Sequence, residues 1–115
     1  MKNVFELEHI GINMENEEEA TKLAKLLCSL FNIEIKVGNK SIFAGKDFEL
    51  MKSPFLGKNG HIAMRTKDLE AAMEELKEKG VEFNMDTAAY FDDGKMKNIY
   101  LAGEYGGFAI HVIQK

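Results

Sequence analysis

Three histidines and one glutamate occupy matching places in two similar stretches of the chain and offer the ligands of a metal ion. His9 and His61 begin the tetrapeptides HIGI and HIAM, whereas Glu49 and His111 lie in FELM and AIHV. A single histidine in a strand is usually a structural residue, but here every histidine of the chain belongs to the pattern. Three imidazoles and one carboxylate suit a borderline divalent metal such as Zn, Ni, Mn, Fe or Co. We therefore predict that these four residues surround one divalent metal ion.

The residues around His9 and Glu49 predict a βαβββ unit. Residues 4–13 alternate between apolar and polar side chains, as a half-buried strand does. The acidic run 15–19 suits the positive end of a helix, and apolar residues then recur at three- and four-residue spacing as far as Asn32. These apolar residues are Ala20, Leu23, Ala24, Leu27, Leu30 and Phe31. Glycine-containing turns separate the three strands that are predicted next, at residues 33–37, 40–44 and 47–52.

A second unit of the same order follows Pro54 and the loop 57–60. Residues 61–66 are its predicted first strand, Asp68 can cap the helix that follows, and Gly80 supplies the stop that helices favour. The apolar face of this helix contains Leu69, Ala72, Met73 and Leu76. Three strands are predicted after this helix: one from Val81 onward, one at residues 98–102 and one at residues 107–114. A hairpin turn is predicted at Asp93-Gly94, between the first and the second of them.

The repeat predicts one α+β domain over residues 1–115, because no low-complexity or proline-rich linker separates the two units. Module one takes residues 1–54 and module two takes residues 58–115, and the two βαβββ modules are expected to form a cupped mixed sheet. Alternate residues of a strand face the same side of a sheet. Pseudo-twofold packing of the modules therefore brings the four proposed metal ligands into one concavity.

Composition and charge argue against several classes of function. The chain has 15 lysines and arginines against 19 aspartates and glutamates, which gives a net charge of −4. Its basic residues are scattered, so we expect no nucleic-acid partner. No apolar stretch approaches the roughly 20 residues that span a bilayer, so we expect no membrane association. The single cysteine, Cys28, lies in the first predicted helix and cannot form an internal disulfide, which favours a reducing, cytoplasmic location.

Four motifs carry a resemblance to a known superfamily, and it extends over essentially the whole chain. HIGI near the start, FELM at the end of module one, GHIA at the start of module two and GGFAIHVI near the end resemble the vicinal oxygen chelate superfamily of glyoxalases, bleomycin-resistance proteins and dioxygenases. The resemblance implies metal ligands at His9, Glu49, His61 and His111. Glyoxalase I and many relatives have a glutamate where His111 stands. This difference argues against glyoxalase activity itself.

A narrower resemblance concerns three longer segments: NEEEATKLAKLL, SIFAGKDFELMKSPFLGKNGHIA and IYLAGEYGGFAIHVIQK. They are similar to the extra domain at the C-terminal end of some bifunctional 4-hydroxy-2-oxoglutarate and 2-keto-3-deoxy-6-phosphogluconate aldolases. The chain is too short for the (β/α)8 barrel of such an aldolase. The resemblance therefore implies an aldolase-associated module without aldolase activity of its own.

Two functions follow as hypotheses. The first is a glyoxalase-like lyase or isomerase that acts on a small 2-oxo or 2-hydroxy acid, or a related carbonyl compound, through a metal-chelated enediolate. Glu49 is the predicted catalytic residue, because a carboxylate can loosen from a metal and accept a proton, whereas a metal-bound imidazole has its basic lone pair occupied. The alternative is a non-catalytic small-molecule-binding or accessory module that serves an aldolase.

Three more polar residues are candidates for contact with the small-molecule substrate. Arg65 is four residues from His61 in the same strand, so it faces the same side and either binds a carboxylate or phosphate or forms a salt bridge at the rim. Asn98 and Tyr100 have the parity to line the same cup. We also expect a homodimer, because modules this small bury little surface alone and the superfamily commonly pairs them within or between chains.

Overall fold

The computed structural model describes residues 2–115 and has two helices and one eight-stranded mixed sheet. The predicted α+β class and the order βαβββ, repeated twice, are confirmed. In chain order the elements are β1 (Phe5–Asn13), α1 (Glu17–Phe31), β2 (Ile35–Val37), β3 (Ser41–Ala44), β4 (Phe48–Met51), β5 (Gly60–Thr66), α2 (Leu69–Glu78), β6 (Phe83–Tyr90), β7 (Met96–Leu101) and β8 (Phe108–Gln114).

Both helices begin and end at the signals that the sequence contains. The side chain of Asn16 accepts a hydrogen bond from the backbone N–H of Glu19, and Asp68 does the same for Ala71. Each bond satisfies an N–H group that has no partner inside its helix. Asn32 caps the C-terminal end of α1 and adopts the left-handed conformation with φ of 55°. None of the helices in residues 2–115 is long and apolar enough to cross a membrane.

The last hairpin is longer than the sequence pattern predicted. Strand β6 continues to Tyr90 and β7 already begins at Met96, two residues before the predicted start. The turn lies at Asp93-Gly94, as predicted, and Phe91 donates a backbone hydrogen bond to the carbonyl of Lys95. Pairing across the hairpin extends both strands beyond the segments in which apolar and polar residues alternate.

The sheet has the strand order β2-β3-β4-β1-β5-β8-β7-β6, so the first strands of the two units lie side by side at its centre. Strands β1 and β5 are antiparallel, whereas each pairs in parallel with the last strand of its own unit, β4 or β8. The two units are therefore related by an approximate twofold axis within one chain. The proposed module limits, 1–54 and 58–115, stay a prediction, and Met1 lies outside the described residues.

The helices pack on one face of the sheet and leave the other face to polar side chains. Two apolar clusters lie under the helices: the first contains Ala20, Ala24, Ile42, Ala44 and Leu50, and the second contains Leu69, Met73, Met96, Ile99 and Val112. Because side chains alternate along a strand, the neighbours of these strand residues point to the opposite face. Glu49 and His111 are such neighbours.

Candidate metal centre

His9, Glu49 and His61 meet at one point on the face opposite the helices. The Nε2 atoms of His9 and His61 are 3.1 Å apart, and Oε1 of Glu49 lies 3.2 Å from the first and 3.0 Å from the second. The two histidines come from the central strands β1 and β5, and the glutamate comes from β4. The sequence prediction that these residues converge agrees with this geometry.

His111 completes the cluster from strand β8. Its Nδ1–H donates a hydrogen bond of 2.6 Å to Oδ1 of Asn98 on the neighbouring strand β7. That bond leaves Nε2 of His111 with a free lone pair, and this buried atom has no hydrogen-bond partner among residues 2–115. One ring nitrogen from each of His9, His61 and His111 lies within 4.8 Å of the others.

A glycine makes room for the His61 ring. Gly11 and His61 are direct partners across β1 and β5. A Cβ atom on Gly11 would collide with the imidazole of His61. The third residue of the tetrapeptide HIGI therefore leaves the space that the His61 ring occupies against β1, close to His9.

The electrostatics of the cluster keep Glu49 ionised. Burial, the largest single influence, raises the pKa of Glu49, but hydrogen bonds from His61, His9 and Ser41 together outweigh it and leave the pKa well below its usual value. The Ser41 hydroxyl donates to Oε2 of Glu49 over 2.7 Å, so Oε1 is the oxygen that faces the histidines. Ser41 was not predicted as a site residue, although its alternation with buried Ile42 places it on the correct face.

The surroundings of His111 keep its imidazole neutral. Burial is the main cause, and the charges of His61 and His9 add to it, so the pKa of His111 is lowered to about 3 in spite of the nearby Glu49. The ring of Tyr100 stacks on His111 at a centroid distance of 4.3 Å and an angle of 7°. Burial, with the charge of Glu49, raises the pKa of Tyr100 to about 12, so its hydroxyl remains protonated at neutral pH.

These residues fit a divalent cation. Two ligands that are each about 2.1 Å from one ion lie about 3.0 Å apart when their bonds meet at a right angle, which is close to the spacing of the donor atoms of His9, Glu49 and His61. The buried Nε2 of His111 lacks any other partner in the described chain. The donors are nitrogen and oxygen atoms, as borderline metals such as Zn, Ni, Mn, Fe and Co prefer.

The four donors lie at the base of a cavity of about 650 Å³. Its wall is formed by Tyr100, by Met51 at the end of β4, by Lys40 of the β2–β3 turn and by residues of the β4–β5 loop, among them Lys52 and Phe55. A larger cavity of about 810 Å³ lies over β2 and β3, but its lining contains none of the four donors. The chemistry of the donors therefore identifies the smaller cavity as the candidate site.

The side chain of Asn13 fixes the loop that covers this cavity. Its Oδ1 accepts a hydrogen bond from the backbone N–H of Phe55, and its Nδ2 donates to the carbonyl of Gly57 over 2.8 Å. Phe55 in turn contacts Tyr100 edge to face, with ring centroids 6.4 Å apart. One apolar side of the cavity is thus held in place from the end of β1.

The three predicted substrate residues have different positions. Tyr100 lines the cavity, whereas Asn98 faces the site through its hydrogen bond to His111. Arg65 is not among the cavity residues: its guanidinium donates to the carbonyl of Leu7 and forms ion pairs with Glu6 and Glu8. This is the rim salt bridge that the sequence left open as the alternative. Substrate binding by Arg65, Asn98 and Tyr100 stays a prediction.

Comparison with known proteins identifies the fold. No protein-family model matches the chain, and no curated protein matches it. Among solved structures, the hypothetical protein BH1468 from Bacillus halodurans C-125 is similar with a TM-score of 0.61 and 20% identity, over 96% of this chain and 94% of that chain. A methylmalonyl-CoA epimerase has a TM-score of 0.61 and 16% identity, over 94% of this chain and 93% of its own. The methylmalonyl-CoA epimerase from Mycobacterium tuberculosis has a TM-score of 0.56 and 16% identity, with coverages of 94% and 86%.

The architecture and these structural neighbours define a protein with the vicinal oxygen chelate fold. The fold that the sequence resemblance implied is therefore confirmed. The narrower resemblance to the C-terminal domain of certain aldolases stays a prediction.

Proposed function

We propose that this protein is a metal-dependent isomerase or lyase that acts on a small 2-oxo or 2-hydroxy acid or a related carbonyl compound. The observation that carries the proposal is the convergence of His9, Glu49, His61 and His111 at the base of a cavity that can admit a small molecule. The epimerases among the structural neighbours support an isomerase in particular, because epimerisation exchanges a proton on one carbon atom.

Each residue of the site has a role in this proposal. His9, His61 and His111 hold the cation together with Glu49, and Asn98 orients the His111 ring through Nδ1. A bound divalent cation supplies Lewis acidity, which stabilises negative charge as it develops on the substrate oxygens. The protonated hydroxyl of Tyr100 is available as a hydrogen-bond donor on the cavity wall.

Glu49 is the proposed proton acceptor, because it is the one carboxylate among the residues that line the cavity. Its lowered pKa depends on hydrogen bonds from His61 and His9. Those bonds require protons on the Nε2 atoms, and imidazoles that bind a cation through Nε2 carry no proton there. In a metal-loaded site those histidine bonds would be replaced by the bond from Glu49 to the cation, so Glu49 would accept a proton only after it loosens from the cation, while Ser41 donates to its other oxygen, Oε2.

The test is exchange with deuterated water of the proton on C2 of a 2-hydroxy acid, or of the protons on C3 of a 2-oxo acid, followed by NMR on protein loaded with Zn, Ni, Mn or Co. Glu49→Gln should retain the fold and much of the metal affinity but lose exchange. Glu8→Gln is the matched control, because Glu8 lies on β1 outside the cavity and pairs with Arg65. Undiminished exchange in metal-loaded Glu49→Gln would remove Glu49 from the mechanism.

Metal content is measured on the same samples. Wild-type protein should bind close to one divalent ion per chain, and His9→Ala, His61→Ala and His111→Ala should each lower the occupancy sharply. Wild-type protein that stays metal-free at tenfold excess cation would refute the metal site. Stoichiometric metal without exchange on any tested acid would instead favour the non-catalytic binding or accessory module.

A cytoplasmic location belongs to the same proposal, since Cys28 is free.

A further inference from the structure

We propose that the substrate carries a second anionic group, a carboxylate, and that Lys40 binds it at the mouth of the cavity. This inference rests on the proposed function, because it assumes that the other end of the substrate, a 2-oxo or 2-hydroxy acid group, lies at the metal centre. It adds the substrate class: a short dicarboxylic acid.

The position of Lys40 is set by the structure of the cavity wall. Lys40 belongs to the turn between β2 and β3 and lines the same cavity as His9, Glu49 and Tyr100. Its backbone carbonyl accepts a hydrogen bond of 3.0 Å from the N–H of Lys52, which follows β4 directly. The turn is thereby joined to the residue that follows the strand of Glu49, so the backbone of Lys40 is held at the cavity that the proposed metal ligands also line.

The charges along the cavity wall are unbalanced. Lys52 also lines the cavity, but its Nζ lies 3.1 Å from Oε2 of Glu17, and only 19% of its side chain is exposed. Lys40 forms no ion pair with any carboxylate in the part of the chain that the structure describes. Glu49, the one carboxylate that lines the cavity, pairs with His9 and His61, and in a metal-loaded site its charge would instead offset that of the cation.

The unpaired ammonium group of Lys40 favours the binding of an anionic group. The apolar residues of the cavity wall favour a substrate in which a short apolar segment adjoins that group. Met51, Pro54 and Phe55 contribute apolar surface to that wall. A dicarboxylic 2-oxo acid has a chelating group at one end, a few methylene groups and a carboxylate at the other. An exposed lysine on a protein surface usually serves solubility alone. The location of Lys40 on the wall of the donor cavity, with no acidic partner, is what distinguishes it.

The experiment compares two probes with the same chain of five carbons and the same 2-oxo acid group: 2-oxoglutarate, which has a second carboxylate, and 2-oxopentanoate, which has a methyl group there. Both are titrated by calorimetry into cobalt-loaded protein at constant ionic strength. Wild-type protein should bind 2-oxoglutarate about tenfold more tightly, as one partly exposed charge-assisted hydrogen bond allows. Lys40→Met should abolish the preference, whereas Lys40→Arg should retain it.

Lys58→Met is the control for a general effect of net charge. Lys58 lies in the β4–β5 loop but not among the cavity residues, so this variant should keep the tenfold preference. Equal affinity of wild-type protein for the two acids, or an unchanged preference in Lys40→Met, would overturn the proposal. If cobalt-loaded wild-type protein binds neither acid, the failure lies with the proposed function, because the two probes share the chelating group.

Discussion

Replacing Asn98 with alanine should weaken metal binding although it removes none of the four donors. Oδ1 of Asn98 accepts the hydrogen bond from Nδ1–H of His111, and this bond keeps the proton away from Nε2. Without the acceptor, the neutral ring gains little by keeping its proton on Nδ1, and the other tautomer places the proton on the atom that should bind the cation. The ring also loses the contact that fixes its orientation.

The magnitude follows from the burial of the contact. The acceptor distance is 2.6 Å, and only 6% of the surface of His111 is exposed, so water replaces the lost acceptor poorly. Loss of such a partner typically lowers metal affinity by about 10- to 100-fold. The metal-free protein should also lose about 1 to 3 kcal/mol of unfolding free energy, because a buried N–H group is left without a partner.

Chelator competition with zinc measures the affinity, and urea unfolding of the metal-free protein measures the stability. Asn98→Asp keeps an acceptor oxygen and should retain metal affinity. Asn84→Ala is the control, because the Asn84 side chain accepts a bond only from the local backbone N–H of Asp86 on strand β6. If Asn98→Ala binds zinc within twofold of wild type, the positioning role of Asn98 is wrong, whatever its effect on stability.

Two further predictions concern acid stability and assembly. The pKa of His111 is lowered from 6.5 to about 3, so below pH 6.5 the unfolded chain takes up a proton that the folded chain does not. The unfolding free energy of metal-free protein, measured with urea, should therefore be about 2 kcal/mol lower at pH 5 than at pH 7, and His111→Gln should reduce this difference. An equal difference in wild type and His111→Gln would contradict the argument. We also propose a homodimer, because Leu26, Leu30, Phe31 and Val37 are 53–68% exposed on α1 and β2. Sedimentation should show the dimer in wild type and a monomer in Phe31→Lys, and a 13 kDa wild-type monomer at micromolar concentration would exclude it.

The elements and the donor set are predictable from local sequence because both depend on short-range periodicity. The spacing of apolar residues defines the two helices, and alternation along β4 and β8 assigns Glu49 and His111 to the face opposite Leu50 and Val112. The repeat then indicates which strands are equivalent. Alternation needs no knowledge of which strands are neighbours, so it assigns Glu49 and His111 to the correct face, whereas their binding of a metal stays a prediction.

The neighbours of the donors were not predictable in the same way, because they depend on long-range register. Arg65 has the parity of His61, but the pairing of β1 with β5 sets Glu6 directly opposite it, and the guanidinium binds there. Ser41 reaches Glu49 only because β3 pairs with β4 in the register that sets Phe43 opposite Glu49. A shift of either register would exchange these partners while leaving the sequence pattern unchanged.

The histidine at position 111 and the position of Lys40 change the charge of the site in the same direction. With Glu49 ionised and three neutral imidazole ligands, a divalent cation leaves one positive charge uncompensated, whereas a second glutamate at position 111 would neutralise it. Lys40 adds a further positive charge at the mouth of the cavity. A monocarboxylic 2-oxo acid balances only the charge at the metal, but a dicarboxylic acid balances both. In the proposed function, His111 therefore accounts for one negative charge of the substrate and Lys40 for the second.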